Sequence, residues 1–547
     1  MIRRVVIEGF KRFDRVEFAL PGHIVLAGPN NTGKTTVLQA IAAWSLALDR
    51  WKELNDFQRH HGTYVRAPIA RQAFSPVPLR SFDLLWRDRE YLRDGAAISV
   101  TITTDEWSLP MRLIADSSEQ IYVRPEAVDP AIVRSASLTT VLVPPMTGLS
   151  TEEPVYTRPK LDQLLGQARP GEMLRNLLVQ ASASEAAWPR LQGTIRRLFG
   201  YELLPPNGRG ANIIAEYRHP GARALDIASG GSGFQQVLML LALLETRPGS
   251  TLLLDEPDAH LHMILQDAIY GELRDAAART GSQLIVATHS EVIINAADVR
   301  ELCVLLDRPR MVADEAERAN LANALRVLSN EDIIRALEAP GVLYLEGHTD
   351  LDHLRAFARV LDHPAGALLD TRLFWKPTAV EAPGAGAGIK AREHYEALRL
   401  VRDIPALQLV DGDAVASVGP TEITGRGFQR SRWRRYEIES YLVHPAALAR
   451  FVTRMVGEAA APPHVDALMA YLRDNLPPAI MERPLDDHPY LNATKARADI
   501  LPPALAAAGL PGLPYTRYHE IAAAMLPEEV HPEVREKLDQ IVAAFRP

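Results

Sequence analysis

The chain has 547 residues, 47% of them hydrophobic and 23% charged, and it carries a formal net charge of −8. This composition predicts a folded protein with more than one apolar core and several domains, and it excludes a globally basic nucleic-acid coat. The longest purely apolar run, residues 237–244, is far shorter than the ~20 residues that cross a bilayer, and no apolar signal region follows the first charges. We therefore expect a cytoplasmic protein with no membrane partner.

Residues 1–312 follow the pattern of a nucleotide-binding α/β core interrupted by an insertion at about 54–222. The predicted core elements are, in chain order, strands at 2–7 and 23–27, a helix at 36–49, a strand at 251–256, a helix at 265–279 and a strand at 283–289. The insertion is predicted to be mainly helical, with helical periodicity at 160–200 and a strand-like run at 96–104. The single cysteine, Cys303, is interpreted as a buried core thiol.

The second half of the chain begins with a helical connector at 313–340 and continues with a second α/β series. Its predicted elements are a strand at 341–347, a helix at 350–361, a strand at 371–375, a Gly/Ala-rich loop at 383–388, a helix at 389–402 and a strand at 407–413. This order predicts a small parallel sheet with helical crossovers over residues 341–445. Residues 446–547 are rich in Ala and Pro, and we expect them to be helical and to complete this half.

The segment GPNNTGKTT, residues 28–36, matches the phosphate-binding pattern G-x-x-x-x-G-K-[ST]. It follows a predicted strand and precedes a predicted helix, which is the context that the pattern requires. In such a loop the backbone amides and the helix N-terminus bind phosphates, the lysine reaches the β- and γ-phosphates, and the next hydroxyl holds Mg²⁺. The predicted nucleotide-binding residues are Gly28, Asn30, Asn31, Gly33, Lys34, Thr35 and Thr36.

Two later motifs place acidic and histidine side chains at the ends of predicted strands. TLLLDEP ends an apolar strand in Asp255 and Glu256, and ATHS follows the next strand with His289. We expect Asp255 to hold Mg²⁺ through water, Glu256 to orient or activate the attacking water, and His289 to lie near the γ-phosphate. The order of these motifs after the phosphate-binding loop predicts ATP hydrolysis.

The segment SGGSGFQQ resembles the signature loop of ABC ATPases. In that family the loop meets the γ-phosphate bound by the other subunit, so the resemblance assigns this role to Ser229 and Gly231. It therefore implies an ABC-type ATPase with ATP and Mg²⁺ as cofactors, and a homodimer that sandwiches two ATP molecules. Gln72 is a possible counterpart of the family's Q-loop residue, but its flanking sequence favours a plain surface glutamine.

Acidic side chains also follow two predicted strands of the second half. Glu346 ends one strand, and Asp411 and Asp413 end another. Because adjacent strand ends of a parallel sheet meet at one edge, these carboxylates could converge there, and Asp350, one helical turn past Glu346, could join them. Clustered oxygen ligands suit Mg²⁺ or Mn²⁺, and two such ions would clamp the attacking and leaving oxygens of a phosphodiester. Taken singly, the E-G and D-G-D sequences also commonly mark structural strand ends and turns.

A strand-end Glu followed by Gly, and then a strand ending in D-x-D, resembles the Toprim domain. Downstream, RRYEIESYL at 434–442 resembles the acidic element of Toprim nucleases of the OLD family, which implies that Glu437 and Glu439 add metal ligands. The same resemblance makes Lys495 the candidate for the lysine that those enzymes use to stabilise transition-state charge. The alternative for Glu437 and Glu439 is a pair of solvated acids at a helix end.

Between the D-G-D sequence and this acidic element lies a basic segment, GRGFQRSRWRRY at 425–436. Its charged and aromatic members are Arg426, Phe428, Arg430, Arg432, Trp433, Arg434, Arg435 and Tyr436. Arginines bind phosphates and aromatic rings can stack on exposed bases, so we predict that a nucleic acid lies along this segment. The alternatives are an exposed basic loop and a salt-bridge surface between two subunits.

The order of the two halves resembles the OLD family, in which an ABC ATPase precedes a Toprim domain. This resemblance implies a homodimer in which ATP controls a metal-dependent endonuclease, with Glu346, Asp411 and Asp413 as catalytic carboxylates. It also implies DNA as the substrate and a role in phage defence, sometimes with a companion protein. Two other interpretations stay open. One is an ATP-driven sensor or repair clamp whose second domain only docks, and the other is a triggered effector that cuts RNA.

Overall fold

The computed structural model describes residues 1–55, 57–77, 79–91, 97–127, 129–145, 148–150, 152–166, 169–306, 309–371, 373–378, 390–413, 421–424 and 427–545. The chain divides into two compact units, Met1–Arg326 and Val327–Pro547. The division falls within the predicted connector, whereas the predicted loop at 383–388 lies outside the described residues. Every helix in the described part of the chain is too short or too polar to cross a membrane.

The first unit combines strands and helices throughout its length. Its strands are β1 (Ile2–Phe10), β2 (Phe13–Ala19), β3 (Ile24–Ala27), β4 (Arg59–His60), β5 (Thr63–Tyr64), β6 (Ala67–Ala70), β7 (Ala97–Thr104), β8 (Ser108–Ala115), β9 (Gln120–Pro125), β10 (Thr140–Val143), β11 (Glu202–Leu203), β12 (Glu216–Arg218), β13 (Leu225–Asp226), β14 (Thr251–Asp255), β15 (Gln283–Thr288), β16 (Leu302–Leu305) and β17 (Pro309–Met311). Its helices are α1 (Lys34–Leu54), α2 (Pro130–Ser135), α3 (Arg158–Gly166), α4 (Leu174–Ser182), α5 (Ala187–Phe199), α6 (Ser232–Thr246), α7 (Met263–Thr280), α8 (Glu291–Ala296) and α9 (Glu315–Val327).

A mainly parallel sheet, with strand order β10-β14-β15-β3-β16-β17, carries the predicted nucleotide-binding motifs. Its central strands are apolar and almost entirely buried, which is expected when both faces of a parallel sheet are covered. Only β17 runs antiparallel to its neighbour. Cys303 lies in β16 and is fully buried, as the sequence predicts. The ends of β3, β14 and β15 therefore lie side by side at one edge.

The prediction of a mainly helical insertion is wrong, because residues 97–125 form three antiparallel strands. The helical periodicity at 160–200 is confirmed by α3, α4 and α5, and the strand-like run at 96–104 by β7. These strands, β7 to β9, join β1, β2 and β6 in a sheet of order β2-β1-β7-β8-β9-β6. Buried and partly exposed side chains alternate along them, which is the period of two that a strand requires. Helix α1 packs against strands of both sheets and buries Trp44 and Trp51 completely. The shared core therefore holds the helix that follows the phosphate-binding loop.

The second unit is a parallel α/β sheet with a helical continuation. Its strands are β18 (Val342–Leu345), β19 (Phe374–Pro377), β20 (Ala406–Val410), β21 (Thr421–Thr424) and β22 (Phe428–Arg432). Its helices are α10 (Asn330–Glu338), α11 (His348–Val360), α12 (Ala365–Thr371), α13 (Ala391–Val401), α14 (Pro445–Val456), α15 (Ala461–Asn475), α16 (Pro478–Glu482), α17 (Pro489–Ala493), α18 (Leu501–Ala507), α19 (His519–Ala522) and α20 (Pro532–Phe545).

The sheet of the second unit has the order β19-β18-β20-β22-β21. All neighbours are parallel except β21 and β22, which form an antiparallel pair. The strand predicted at 371–375 begins instead at Phe374, because α12 continues to Thr371. Helix α11, strands β18 and β20 and the helices of the C-terminal region share one apolar core. The ends of these two strands therefore lie beside the helical region.

Candidate ATP site and candidate carboxylate site

The phosphate-binding loop connects β3 to α1, as the sequence predicts. Lys34 begins α1, and its Nζ donates to the carbonyl oxygens of Gly28 and Pro29, each at 2.7 Å. Burial lowers the pKa of the Lys34 ammonium, although nearby carboxylates act in the opposite direction. Asn30 and Asn31 are exposed at the tip of the loop, and Asn31 has a φ of +64°. The carbonyl groups of the loop thus hold the lysine of the motif, and the two asparagines of the loop are exposed to solvent.

Gly33 shows why the second glycine of the pattern is needed. Its φ is +104°, and a Cβ atom at this position would lie 2.5 Å from Cζ of Phe13 and 3.1 Å from Cδ of Arg12. The turn between β1 and β2 therefore presses against the loop, so that only glycine fits. Sequence reasoning missed Phe13 and Arg12, because no motif spacing connects them to the loop.

Thr35 and Asp255 bring hard oxygen atoms together at the predicted magnesium position. Thr35 Oγ1 donates to both carboxylate oxygens of Asp255 at 2.9 Å each. Burial raises the pKa of Asp255, and the hydrogen bond from Thr35 opposes this rise. Hydroxyl and carboxylate oxygens are the donors that Mg²⁺ prefers, so the chemistry of this pair fits the ion. Thr36, the next residue of the loop, is half-buried in the first turn of α1.

Glu256 and His289 form a pair beside this site. Glu256 has a φ of +47°, and its amide donates to the carbonyl of Ala287 on the neighbouring strand, at 2.8 Å. Its Oε1 lies 3.2 Å from Nδ1 of His289. This hydrogen bond lowers the pKa of Glu256 and raises the pKa of His289. The pair therefore favours an ionised Glu256 carboxylate beside the His289 imidazole. An ionised carboxylate can accept a hydrogen bond from water and so orient it.

The loop resembling the ABC signature lies exposed at the start of α6. Ser229 Oγ donates to the carbonyl of Asp226 at 2.6 Å, and Gly231 is the residue before the helix. Asp226 in turn accepts two hydrogen bonds of 2.9 Å from Arg175, whose side chain is only 2% exposed. Gln235 donates to the carbonyl of Gly230 at 2.9 Å. Buried side chains therefore fix the base of an exposed loop, and neither Arg175 nor Gln235 had been singled out from the sequence.

In the second unit the structure brings Glu346 and Asp411 together. They follow the adjacent parallel strands β18 and β20, and the amide of Asp411 donates to Oε1 of Glu346 at 3.3 Å. Asp350, in the first turn of α11, accepts from the amides of Glu346 and Gly347 at 3.0 and 3.2 Å. The predicted convergence of strand-end carboxylates is therefore present for these three residues. Asp413 is exposed, and no described contact brings it to them.

Glu437 and Glu439 join this group from the following segment. They are 1% and 2% exposed, so the alternative of solvated acids at a helix end is wrong. Glu437 Oε1 accepts from the amide of Arg497 at 2.5 Å. Oε1 of Glu439 is buried, has no hydrogen-bond partner among the described residues and lies 4.0 Å from Nη1 of Arg497. Burial raises the pKa of both glutamates, and the nearby charge of Lys495 opposes this rise.

We call Glu346, Asp350, Asp411, Glu437 and Glu439 the carboxylate cluster. Burial, followed by the charges of the other members, raises the pKa of Asp411 well above its ordinary value. Burial, with Glu439 as the next cause in each case, raises the pKa of Asp350 and that of Glu437 to about 7. Mutual repulsion of buried carboxylates is relieved by protons or by a cation.

The cluster has the donor chemistry of a Mg²⁺ or Mn²⁺ site, but not a preformed coordination shell. Within the described residues, no three Asp, Glu, His or Cys side chains are grouped so that they could hold a metal ion as they stand. One physical reason is that backbone amides already use oxygens of Glu346, Asp350 and Glu437. The orphaned oxygen of Glu439 is the group that a cation would satisfy most directly.

The prediction of a nucleic-acid surface at 425–436 is wrong for two of its three aromatic members. Phe428 and Trp433 are 2% and 3% exposed, so neither can stack on a base. Tyr436 is half-buried. Arg435 is 1% exposed and donates to the carbonyls of Ser440, Pro484 and Asp486.

The other arginines of this segment are largely engaged within the chain. Arg430 donates to Gln408 at 2.9 Å, Arg432 donates to the carbonyl of Gly412 at 3.2 Å, and the exposed Arg434 pairs with Glu536 at 2.9 Å. Arg426 lies outside the described residues. The described part of the segment, 427–436, is therefore a structural support of the second unit rather than an exposed basic loop.

Gln72 is exposed in the short turn Arg71–Ala73, as a surface glutamine would be.

Comparison with known proteins gives a partial family match. The family model described as "AAA domain, putative AbiEii toxin, Type IV TA system" matches residues 168–295. This segment, less than half of the chain, contains the signature-like loop, the acidic strand end and the ATHS motif, but not the phosphate-binding loop. No curated protein matches the chain.

Three solved structures are similar at low identity. The SmcHead bound to the C-winged helix domain of ScpA shares 16% identity over 55% of this chain and 93% of its own, with a TM-score of 0.36. The SMC head domain from Thermotoga maritima shares 17% identity over 55% and 94%, with a TM-score of 0.30. The Smc head domain with an extended coiled coil, bound to the C-terminal domain of ScpA derived from Pyrococcus furiosus, shares 15% identity over 58% and 97%, with a TM-score of 0.35.

Because these TM-scores are low, the fold assignment rests on the motifs and the strand order rather than on the three structures. The phosphate-binding loop lies between β3 and α1, and the acidic and histidine motifs follow the neighbouring strands β14 and β15. The family match covers the later motifs independently of this placement. Together they support an ABC-type P-loop ATPase domain in the first unit.

Proposed function

We propose that the protein is an ATP-regulated, metal-dependent endonuclease that acts on DNA. The observation that carries this proposal is the carboxylate cluster at the carboxyl edge of the parallel sheet in the second unit. Five acids are gathered there, and Oε1 of Glu439 is buried without a hydrogen-bond partner in the part of the chain that the structure describes. Such acids stay together at a cost unless a cation or protons compensate their charge, which points to a role in binding a divalent ion.

The residues of the cluster suit different tasks in phosphodiester hydrolysis. Glu346, Asp411 and Glu439 would hold the ion, which supplies Lewis acidity to the phosphate when bound. Asp350 fixes the amides after β18 and thereby orients Glu346. Lys495 adds positive charge beside the acids, where negative charge develops on the phosphate. Asp413 belongs to the proposal only as a residue of the D-G-D sequence.

The ATPase unit would act as the regulator through a homodimer. The signature-like loop is exposed and its base is held by Arg175 and Gln235, so it is available to meet a nucleotide bound by a second copy. ATP would hold two copies together, and hydrolysis through Glu256 and His289 would release them. Replacement of Glu256 by Gln is expected to slow hydrolysis and to favour a dimer in ATP, measured by analytical ultracentrifugation. A monomeric Glu256→Gln protein in saturating ATP would contradict this part.

The central test uses supercoiled plasmid with Mg²⁺ or Mn²⁺, with and without ATP. Wild-type protein is compared with Asp411→Asn, Asp413→Ala and, as a matched control, the exposed Asp474→Asn on α15. We expect wild type and the control to nick or linearise the plasmid, and Asp411→Asn to lose this activity while binding ATP normally. Cutting by Asp411→Asn at the wild-type rate would refute the assignment of the cluster. The Asp413 variant decides whether that carboxylate also contributes.

A second candidate is a triggered effector that cuts RNA. The description of the matching family names a putative AbiEii toxin, which agrees with an effector but names no target. The same variants are therefore tested on tRNA and on total RNA, because a two-metal mechanism serves either nucleic acid. A Mn²⁺ titration separates both nucleases from a sensor or repair clamp. Absence of a Mn²⁺ site that depends on Asp411 would favour the clamp.

A further inference from the structure

Because Phe428 and Trp433 of the basic segment are buried, the second unit needs another surface to hold a substrate beside its acids. Arg497 lies at this position. It is the second residue of a short π-helix, Ala496–Ile500, and its amide is tied to Glu437 of the carboxylate cluster. Its side chain is 39% exposed, so the guanidinium faces both the buried acids and solvent.

The guanidinium of Arg497 makes only a long ion pair within the described residues. Its Nη1 lies 4.0 Å from Oε1 of Glu439, which is beyond hydrogen-bond distance, and within the described part of the chain it donates no hydrogen bond. Arg175 offers a contrast in the same molecule, because it donates twice to Asp226 at 2.9 Å. A purely structural counter-ion is expected to close such contacts. Arg497 instead keeps its donors free while remaining among the acids.

The electrostatic environment holds Arg497 in place without neutralising it. Burial lowers its pKa, but the charges of Glu439, Glu437, Asp411 and Asp350 together raise it above the ordinary value. The guanidinium also lies over the ring of Tyr515, with Cζ 5.4 Å from the ring centroid. Such stacking restrains the plane of the guanidinium while its N–H groups stay available at the edge.

We propose that Arg497, held over Tyr515, binds the phosphate that the carboxylate cluster cuts. This inference rests on the proposed nuclease function. A planar guanidinium presents paired donors that match two oxygens of a phosphate, and a phosphate bound to ions on the cluster would lie at its open side. The same residue would reduce the repulsion between the acids and the incoming phosphodiester. Arg497 is thus a substrate-binding residue in addition to the predicted Lys495.

The test compares Arg497→Ala and Arg497→Lys with wild type and with Arg473→Ala, an exposed arginine on α15. Binding of a fluorescent oligonucleotide is measured by anisotropy in Ca²⁺, over a range of salt concentrations. Cleavage is measured separately as kcat and KM, and the ion site by Mn²⁺ titration. We expect Arg497→Ala to lose roughly 10–100-fold in kcat/KM and in oligonucleotide affinity, with Lys restoring part of the loss. The slope of log affinity against log salt concentration should become shallower by about one, which corresponds to the loss of one phosphate contact.

Affinity for Mn²⁺ should be unchanged or higher in Arg497→Ala, since a neighbouring positive charge is removed. A wild-type oligonucleotide affinity in this variant would overturn the proposal, and so would a loss of Mn²⁺ binding, which would make Arg497 a structural support of the acids. If wild type cuts no substrate, the nuclease proposal fails, while the anisotropy comparison still decides whether Arg497 contacts the phosphodiester backbone.

Discussion

The hydroxyl of Thr35 donates to both carboxylate oxygens of Asp255, each at 2.9 Å. These residues are 220 positions apart in sequence and come from the N-terminus of α1 and the end of β14. Their meeting joins the phosphate-binding loop to the acidic strand end, although the insertion separates the two motifs along the chain. The pair therefore links the residues expected to bind the phosphates of ATP to the strand end expected to take part in hydrolysis.

Replacement of Thr35 by Val is expected to disable ATP hydrolysis with little change in fold. Valine keeps the shape of threonine but removes the oxygen that would contact Mg²⁺ and Asp255, so phosphate release should fall roughly 10–100-fold. Thr35→Ser keeps the hydroxyl and should retain most of the activity. Phosphate release and binding of a fluorescent ATP analogue measure the two effects. Turnover by Thr35→Val equal to that of Thr35→Ser would contradict the role of this oxygen.

Replacement of Arg175 by Met is expected to loosen the signature-like loop without touching the nucleotide. The buried guanidinium would no longer hold Asp226, whose backbone carbonyl accepts from Ser229. Thermal or urea denaturation should show a loss of about 1–3 kcal/mol, with a several-fold fall in ATP turnover and unchanged ATP binding. Arg218→Ala, which removes an exposed pair with Glu202, should stay within about 0.5 kcal/mol of wild type. Equal stability losses in the two variants would refute the supporting role of Arg175.

The nucleotide motifs and the strand-end acids could be predicted from sequence because each lies directly beside the strand that positions it. The burial of Trp433 and Arg435 could not be predicted from the sequence. A run of arginines and aromatics has the same local pattern whether it is exposed or buried. Here the tail helix α20, about 100 residues downstream, covers it, and Lys537 donates to Ser431 at 2.6 Å. The position of Arg497 beside Glu437 could not be predicted either, because only the tertiary fold brings the two residues together.

The carboxylate cluster predicts an unusual dependence of stability on pH in the absence of divalent ions. The pKa of Asp350 and that of Glu437 are raised to about 7, so between about pH 4.5 and 7 the folded state binds more protons than the unfolded state. The stability contributed by these groups is complete below the unfolded pKa and is lost as the pH rises through 7. Melting temperature without metal should therefore fall between pH 5 and 8, and Mn²⁺ should restore it.

Glu437→Gln tests this dependence directly. Glutamine can still accept the amide of Arg497 through its oxygen, but it carries no charge. We expect a gain of roughly 1–3 kcal/mol at pH 8 and little change at pH 5, measured by denaturation in chelator. The exposed Glu458→Gln serves as a control and should shift neither value. A gain for Glu437→Gln that is larger at pH 5 than at pH 8 would contradict the assignment of the raised pKa.

Gly412 explains why the D-G-D sequence has no side chain at its centre. A Cβ atom there would lie 2.0 Å from the carbonyl oxygen of Arg435, 2.7 Å from its carbonyl carbon and 3.0 Å from the oxygen of Trp433. These are backbone atoms of a packed segment and cannot turn aside. The amide of Gly412 also donates to the carbonyl of Tyr436 at 2.8 Å. Asp411 is therefore positioned by a close backbone contact with the segment that leads to Glu437.

Gly412→Ala should separate these two backbones and displace Asp411 from the cluster. We expect a stability loss of about 1–3 kcal/mol or more, because the added methyl must push apart packed main chain. Affinity for Mn²⁺, measured by titration, should fall together with stability. Gly366→Ala in α12 is the matched control, since its nearest neighbour would be Ala358 Cβ at 3.8 Å and alanine favours a helix. If Gly412→Ala kept wild-type stability and Mn²⁺ affinity, the close contact would not be what holds Asp411 against Glu346.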